Sequence, residues 1–196
     1  MNNSDEQEIK AYRTKLESLR QVFIGLRMQF YCTHPEKKYK TCNDYFGFLL
    51  LETTKLTLGR LYILLADDFK SKNNKHNTIS FKILIQDILD NLPSCPNENL
   101  NKLLSRINDI DEKYKCFRDK VYAHIDLDSN GKLKDISEFS ISPKDINNLI
   151  ILAEDIYNEL FLLLSNSSSD HMQYHIQSLS HELWDAYEQA GLVKKR

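Results

Sequence analysis

An arginine and a histidine six positions apart, Arg118 and His124, sit in the run Tyr114-Lys-Cys-Phe-Arg-Asp-Lys-Val-Tyr-Ala-His-Ile-Asp126. Arg carries a permanent charge in a planar fork that suits phosphate oxygens. His takes up and releases protons near neutral pH. Together they supply charge neutralisation and proton transfer, which is what metal-free cleavage of a ribonucleic acid phosphodiester needs. The spacing by itself is weak. For an Arg and a His with four to six residues between them, or nearly so, chance gives about 0.6 pairs in such a chain. A second pair, Arg27 and His34, also occurs. Its His precedes Pro35, which disfavours helix at that residue, and lies where a helix should end in a polar loop.

The 118/124 pair has the better context. With about 100° per helical residue and Val121 at zero, Tyr114, Phe117 and Ile125 fall within about 40° of it. Arg118 falls near +60° and His124 near −60°. The two polar residues border one apolar stripe from opposite sides. If the stripe packs against a second copy through a two-fold axis, two Arg and two His converge on one seam. The plainer alternative is an Arg and a His flanking an ordinary core stripe as solvated neighbours.

The pattern Arg118-Asp119, four variable residues and His124, with its flank Phe-Arg-Asp-Lys-Val-Tyr-Ala-His-Ile-Asp-Leu-Asp, resembles the HEPN superfamily and within it the abortive-infection, AbiU-like group. The likeness continues into a short polar loop and the helix-like run from Ile141 to Leu160. The resemblance implies an all-α helical bundle over 5–165. It also implies metal-independent endoribonuclease action in phage defence or a toxin–antitoxin system, with no cofactor and no metal. It implies a composite site across a homodimer. Carried onto this chain, Arg118 binds the scissile phosphate, His124 acts as general acid or base, and Asp119 orients them. On a straight helix Asp119 points about 160° from the stripe, so its role fits least well. A separate partner, an antitoxin or a nearby effector, is implied too. In HEPN proteins paired with a nucleotidyltransferase antitoxin, a Tyr two residues after the His is modified. Asp126 stands there instead, so that regulation is not expected.

The chain has 196 residues, 41% hydrophobic and 28% charged. That suits one sizeable core, and the few glycines and prolines favour long helices. A net charge of −2 means that any nucleic-acid footprint must be local. Lys113, Lys115 and Lys120 cluster around Arg118 against Asp119 alone, a small basic patch for transient RNA contact. Arg60 is a further phosphate ligand, or else a satisfied buried or interface cation. The four Cys at 32, 42, 95 and 116 show no zinc spacing and read as free thiols in a reducing cytoplasm. The acidic, polar start argues against a signal peptide. No apolar run is long enough to cross a membrane.

These residues need long elements to hold them. Leu16, Leu19, Phe23, Leu26 and Phe30 predict a first helix over 5–31. A second, over 43–68, carries Phe46, Leu49, Leu50, Leu56, Leu61, Leu64 and Leu65, enough to read as the most buried helix. A short third helix spans 79–91. The fourth, 97–124, has Leu103, Ile107, Ile110, Tyr114, Phe117 and Val121 as its stripe, with the motif at its carbonyl end. That end favours cations and raises the His124 pKa. A loop or small hairpin follows. Ser142 as cap, Pro143 and Asp145 open a fifth helix to about 164. The bundle is expected over 1–165. Residues 166–196 are expected to add a C-terminal helix packed on it through Met172, Ile176, Leu179, Leu183 and Tyr187, then a disordered basic tail.

Two metal patterns are weaker. Asp126–Gly131 matches the first half of a calcium loop, but Ser137 stands where a bidentate Glu belongs. His171, His175 and Glu182 share a helix face, more simply a solvated one. Two other functions stay open. One is a catalytically silent dimeric module of the same fold. The other is a nucleotide-binding domain using Arg118 and its lysines without hydrolysis.

Overall fold

The computed structural model describes residues 3–33, 39–66, 79–92, 97–118, 143–165 and 176–195. Their side chains are described except at 3–5, 97, 111–118, 143 and 176–179. The described chain is all-α, with helices α1 (Asn3–Thr33), α2 (Asp44–Ala66), α3 (Phe81–Asn91), α4 (Asn97–Arg118), α5 (Pro143–Ser165) and α6 (Ile176–Gln189). Two short strands, β1 (Tyr39–Thr41) and β2 (Val193–Lys195), complete it.

Local chemistry explains where the helices start. The Asn43 carboxamide accepts from the Phe46 amide at 3.1 Å, opening α2. Ser80 is extended and its hydroxyl accepts from the Ile83 amide at 3.2 Å, opening α3. Pro143 is the first residue of α5, where a missing amide hydrogen costs nothing.

The α1 stripe predicted from its spacing is buried along its whole length, Leu16 through Phe30. It packs on α2, α3, α5 and α6. Leu58, Leu61 and Leu65 of α2, Phe81, Leu84, Ile85 and Ile88 of α3, and Ile146 through Leu164 of α5 join it in one core. The α4 residues Leu100, Leu103 and Ile107 belong to the same core. The described part of the motif helix's stripe therefore packs inside its own bundle, on α2 and α3.

Two expectations fail. The first is that α2, with Leu49 and Leu56 in its apolar set, is the most buried helix; its carboxyl half is largely buried apart from Arg60, but Tyr45, Phe48, Leu49, Leu51 and, near the middle, Leu56 are exposed. The second is the disordered tail. Gly191 takes a positive φ of 72°. Its amide donates to the Glu188 carbonyl and the Leu192 amide to that of Tyr187, a left-handed helix stop that glycine accepts without strain. The reversed chain then runs antiparallel to β1, with Tyr39 opposite Lys195, Lys40 opposite Lys194 and Thr41 opposite Val193.

This ribbon closes a second small core. Tyr39, Trp184 and Val193 are buried together, with Phe46, Leu50 and Tyr187 against them. Trp184 stacks on Tyr39 at 5.5 Å between centroids and meets Tyr187 edge-on at 5.3 Å. Its indole N–H and the Ser180 hydroxyl both donate to the Tyr31 carbonyl, at 3.2 and 2.9 Å. That carbonyl lies in the last turn of α1, where the helix itself offers no partner. The expected α6 stripe named Leu183 and Tyr187, which are half-buried, and passed over Trp184, the most buried of the helix's described side chains.

Candidate functional site

Arg118 is the last described residue of α4, so the structure places its backbone at the carbonyl end of that helix. A helix of 22 residues is about 33 Å long. Its first half is pinned by Leu100, Leu103 and Ile107. Arg106 ties it to α5 through a 2.6 Å contact with Asp155. The carbonyl end carries partial negative charge, which favours a cation there. Lys113 and Lys115 lie on the same last two turns of α4, by backbone position. Asp119, Lys120 and His124 lie outside the described residues, as do the calcium-like loop 126–138, the expected hairpin, His171 and His175.

The other arginines separate cleanly by partner. Arg13 donates to the Leu164 carbonyl at 2.6 Å. Arg20 pairs with Glu17 at 2.9 Å. Arg27 pairs with Glu154 at 3.1 Å and lies over the Tyr31 ring. Its charge thus joins α1 to α5, and a catalytic Arg27–His34 pair loses its phosphate ligand. His34 itself lies outside the described residues. Arg60 is exposed on α2, which removes the buried reading. It has no carboxylate partner among the described residues, so its guanidinium is free to meet an anion.

Metal ligands are sparse in what is described. Among the described residues no group of three His, Cys, Asp or Glu could hold an ion. Glu182 is exposed on α6. Cys32 and Cys42 are free thiols, and burial pushes the Cys32 thiol up from its ordinary value, away from the reactive thiolate. No helix among the described residues is long and apolar enough to cross a membrane.

The strongest polar cluster with described side chains lies elsewhere, on the ribbon. The Tyr39 hydroxyl donates to the Asp185 carboxylate at 2.8 Å. Lys195 reaches Asp185 at 3.1 Å and Glu188 at 3.0 Å, and sits over the Tyr39 ring. The hydrogen bond to Asp185 raises the Tyr39 pKa. The same bond, then Lys195, lowers that of Asp185. Glu188 and Asp185 raise that of Lys195. Each group has a partner within the cluster, which holds the C-terminal strand in place. Sequence reasoning missed it. The available signal was Gly191 after a helical run, followed by apolar Val193.

Comparison with known families adds the missing context. The family model described as AbiU2, a HEPN family, matches residues 9–185, from α1 into α6 and across the whole Arg118–His124 motif. No curated protein and no solved structure matches the chain. The family match also reaches into α6 as far as residue 185, in the segment that the sequence alone set apart as an addition to the bundle. An all-α bundle with a pinned motif helix, matched by that family over most of its length, places this chain in the AbiU2 family of HEPN proteins.

Proposed function

We propose that this protein is a metal-independent endoribonuclease of host defence, acting in phage defence or a toxin–antitoxin system. The observation that carries the reading is the family match across α4 and its motif. The rigid seating of α4 in the bundle core supports it, because catalytic groups need a fixed support.

In this reading Arg118 holds the scissile phosphate and neutralises charge developing on it. His124 serves as general acid or base. The 2′-oxygen of the RNA forms a new bond to phosphorus as its proton leaves to a base. The bond from phosphorus to the 5′-oxygen breaks, and that oxygen takes a proton from an acid. The products are a 2′,3′-cyclic phosphate and a 5′-hydroxyl. Asp119 orients the pair, while Lys113, Lys115, Lys120 and Arg60 hold the flanking phosphates. Two copies of the chain share the cleft. DNA lacks the 2′-hydroxyl and is inert.

The test is RNA cleavage in excess EDTA by the wild type, His124→Ala and Arg118→Ala. A positioned His contributes about 10²–10⁴-fold, so His124→Ala is expected to lose at least the lower figure while remaining folded. Cleavage products carrying cyclic phosphate are expected. Equal cleavage by wild type and both variants refutes the assignment. No cleavage by a folded wild type turns the reading to a silent interaction module of the same fold.

A further inference from the structure

The C-terminal ribbon has two faces. On the inner one Tyr39 and Val193 are buried with Trp184, and Lys195 pairs with Asp185 and Glu188. On the outer one Lys40 stands opposite Lys194, and both are exposed. The register fixes their separation. The Cys42 amide donates to the Leu192 carbonyl at 2.9 Å, which makes those two residues a hydrogen-bonded pair. Such pairs alternate along an antiparallel ladder. Lys40 and Lys194 are therefore the next one, with Cα atoms about 5.5 Å apart and side chains on the same side. Neither lysine has a carboxylate partner among the described residues.

Like charges placed directly opposite each other destabilise a ladder. A ribbon of three residue pairs has little stability to lose. Lysine on an open strand edge does guard against edge-to-edge pairing. That role needs a charge, and it does not need two of one sign in register. A Lys opposite a Glu blunts the edge and strengthens the ribbon as well. Two ammonium groups held side by side, with no carboxylate to share, suit an anion that bridges them.

We propose that Lys40 and Lys194 form a clamp for a backbone phosphate of single-stranded RNA, assembled when the C-terminal strand closes on β1. Each ammonium donates to a different oxygen of one phosphodiester. The contact carries no base preference, because it meets the backbone alone. Number favours nucleic acid over a lipid surface. Basic segments that recognise anionic lipid gather about four to eight cations. The outer face here has two, beside Cys42 and a half-buried Leu192, with no exposed aromatic residue to enter a bilayer. That the phosphate belongs to RNA rests on the endoribonuclease reading above. Lys194 falls beyond the residues 9–185 that the family model matches, so the clamp joins a strand inside the match to one outside it.

The clamp couples the ligand to the fold. A phosphate between the two lysines cancels their repulsion, so RNA stabilises the closed ribbon by mass action. Removing either charge cancels the same repulsion without the ligand. The substitutions therefore have opposite signs in the two measurements: the ribbon gains stability and RNA binding is lost. A pair of lysines with a purely structural role gives no such opposition.

The test is fluorescence anisotropy of the full chain with a labelled single-stranded RNA methylated at every 2′-oxygen, which blocks cleavage. Lys40→Gln and Lys194→Gln are each expected to weaken binding about 3–5-fold, and the double variant about 10–25-fold. The slope of log affinity against log salt should fall by about 1.4 in the double variant. Lys10→Gln, at an exposed site on α1, is expected to bind as the wild type does. In urea, the Trp184 emission transition is expected at higher denaturant in both single variants than in the wild type. Added RNA is expected to raise it in the wild type and not in the double variant. No RNA binding by the wild type, or equal binding by all forms, overturns the clamp. So does a ribbon weakened by the substitutions. Binding to phosphatidylserine vesicles that falls with the substitutions, while RNA binding does not, overturns it in favour of a lipid surface. Cleavage of unmodified RNA by a wild type whose variants bind equally overturns the clamp alone. Weakened binding by the variants, with no cleavage by the wild type, supports the clamp and overturns the nuclease.

Discussion

Val193→Asp should open the C-terminal clasp and leave the main bundle folded. Val193 is buried beside Tyr39 and Trp184 in a ribbon of three residue pairs. A two-stranded ribbon is marginal by itself, so its apolar contacts must hold it. Uncovering a valine side chain forfeits about 1.5–2 kcal/mol. Leaving an unpaired carboxylate in its place costs several kcal/mol more. The ribbon is expected to detach before it bears that cost. Val193→Ala is milder. Two carbons at about 0.8 kcal/mol each predict a clasp weakened by about 1.5 kcal/mol but closed. The assay is built into the chain, because Trp184 is its one tryptophan. Val193→Asp should show the red-shifted emission of a solvated indole without denaturant, with nearly all helical circular dichroism retained. In Val193→Ala the emission transition in urea should come about 0.5–1.5 M before that of the wild type. Native emission in a folded Val193→Asp protein, or emission and helicity lost together at the wild-type midpoint, would refute a separable clasp.

The same emission should define a pH window. Asp185 is held below its ordinary pKa, so its contribution is present above about pH 4 and is lost as pH falls further. Tyr39 and Lys195 are raised, so theirs is present below about pH 10 and is lost as pH rises through their folded values. A red shift at both extremes, before helicity changes, is the expected result; a flat profile across them would remove the role given to these groups. Glu154→Ala leaves the Arg27 guanidinium partly buried without its carboxylate. Stability should fall by about 2–3 kcal/mol, short of the 3–5 of a fully buried pair, with RNA cleavage per folded molecule unchanged. Lost cleavage at wild-type stability would return Arg27 to the list of phosphate ligands. Ser80→Ala removes the cap of α3 and should cost about 1 kcal/mol in urea unfolding. No change there would mean that the Phe81–Ile88 packing alone sets the start of that helix.

The residues that could be read correctly from sequence share one property: their partners are close in the chain or implied by a repeat. Leu16 to Phe30 announce a helix face through spacing alone, and Pro143 with Asp145 announces a helix start. Arg118 and His124 stand apart from these: residue type suggests a chemistry there, and the family match extends over both positions. The misread residues depend on partners far away. Val193 looks like the edge of a basic tail until Trp184 and Tyr39 are beside it. Lys40 opposite Lys194 even argues against the pairing, since like charges across a ladder repel. Asp185 and Glu188 offset Lys195, and burial of Val193 outweighs the remaining repulsion.

Helix α2 shows a different limit. A two-sided apolar pattern states that both faces are covered, but not by whom. Leu58 and Leu65 are covered by the chain itself, while Phe48 and Leu49 are not, although the residue types are alike. Only the fold distinguishes a covered residue from an exposed one of the same kind. The distinction then acts back on the motif. With Leu103 and Ile107 engaged by α2 and α3, α4 owes its position to the monomer's own core. The consequence is that the helix carrying Arg118 is held in place by contacts within a single copy of the chain.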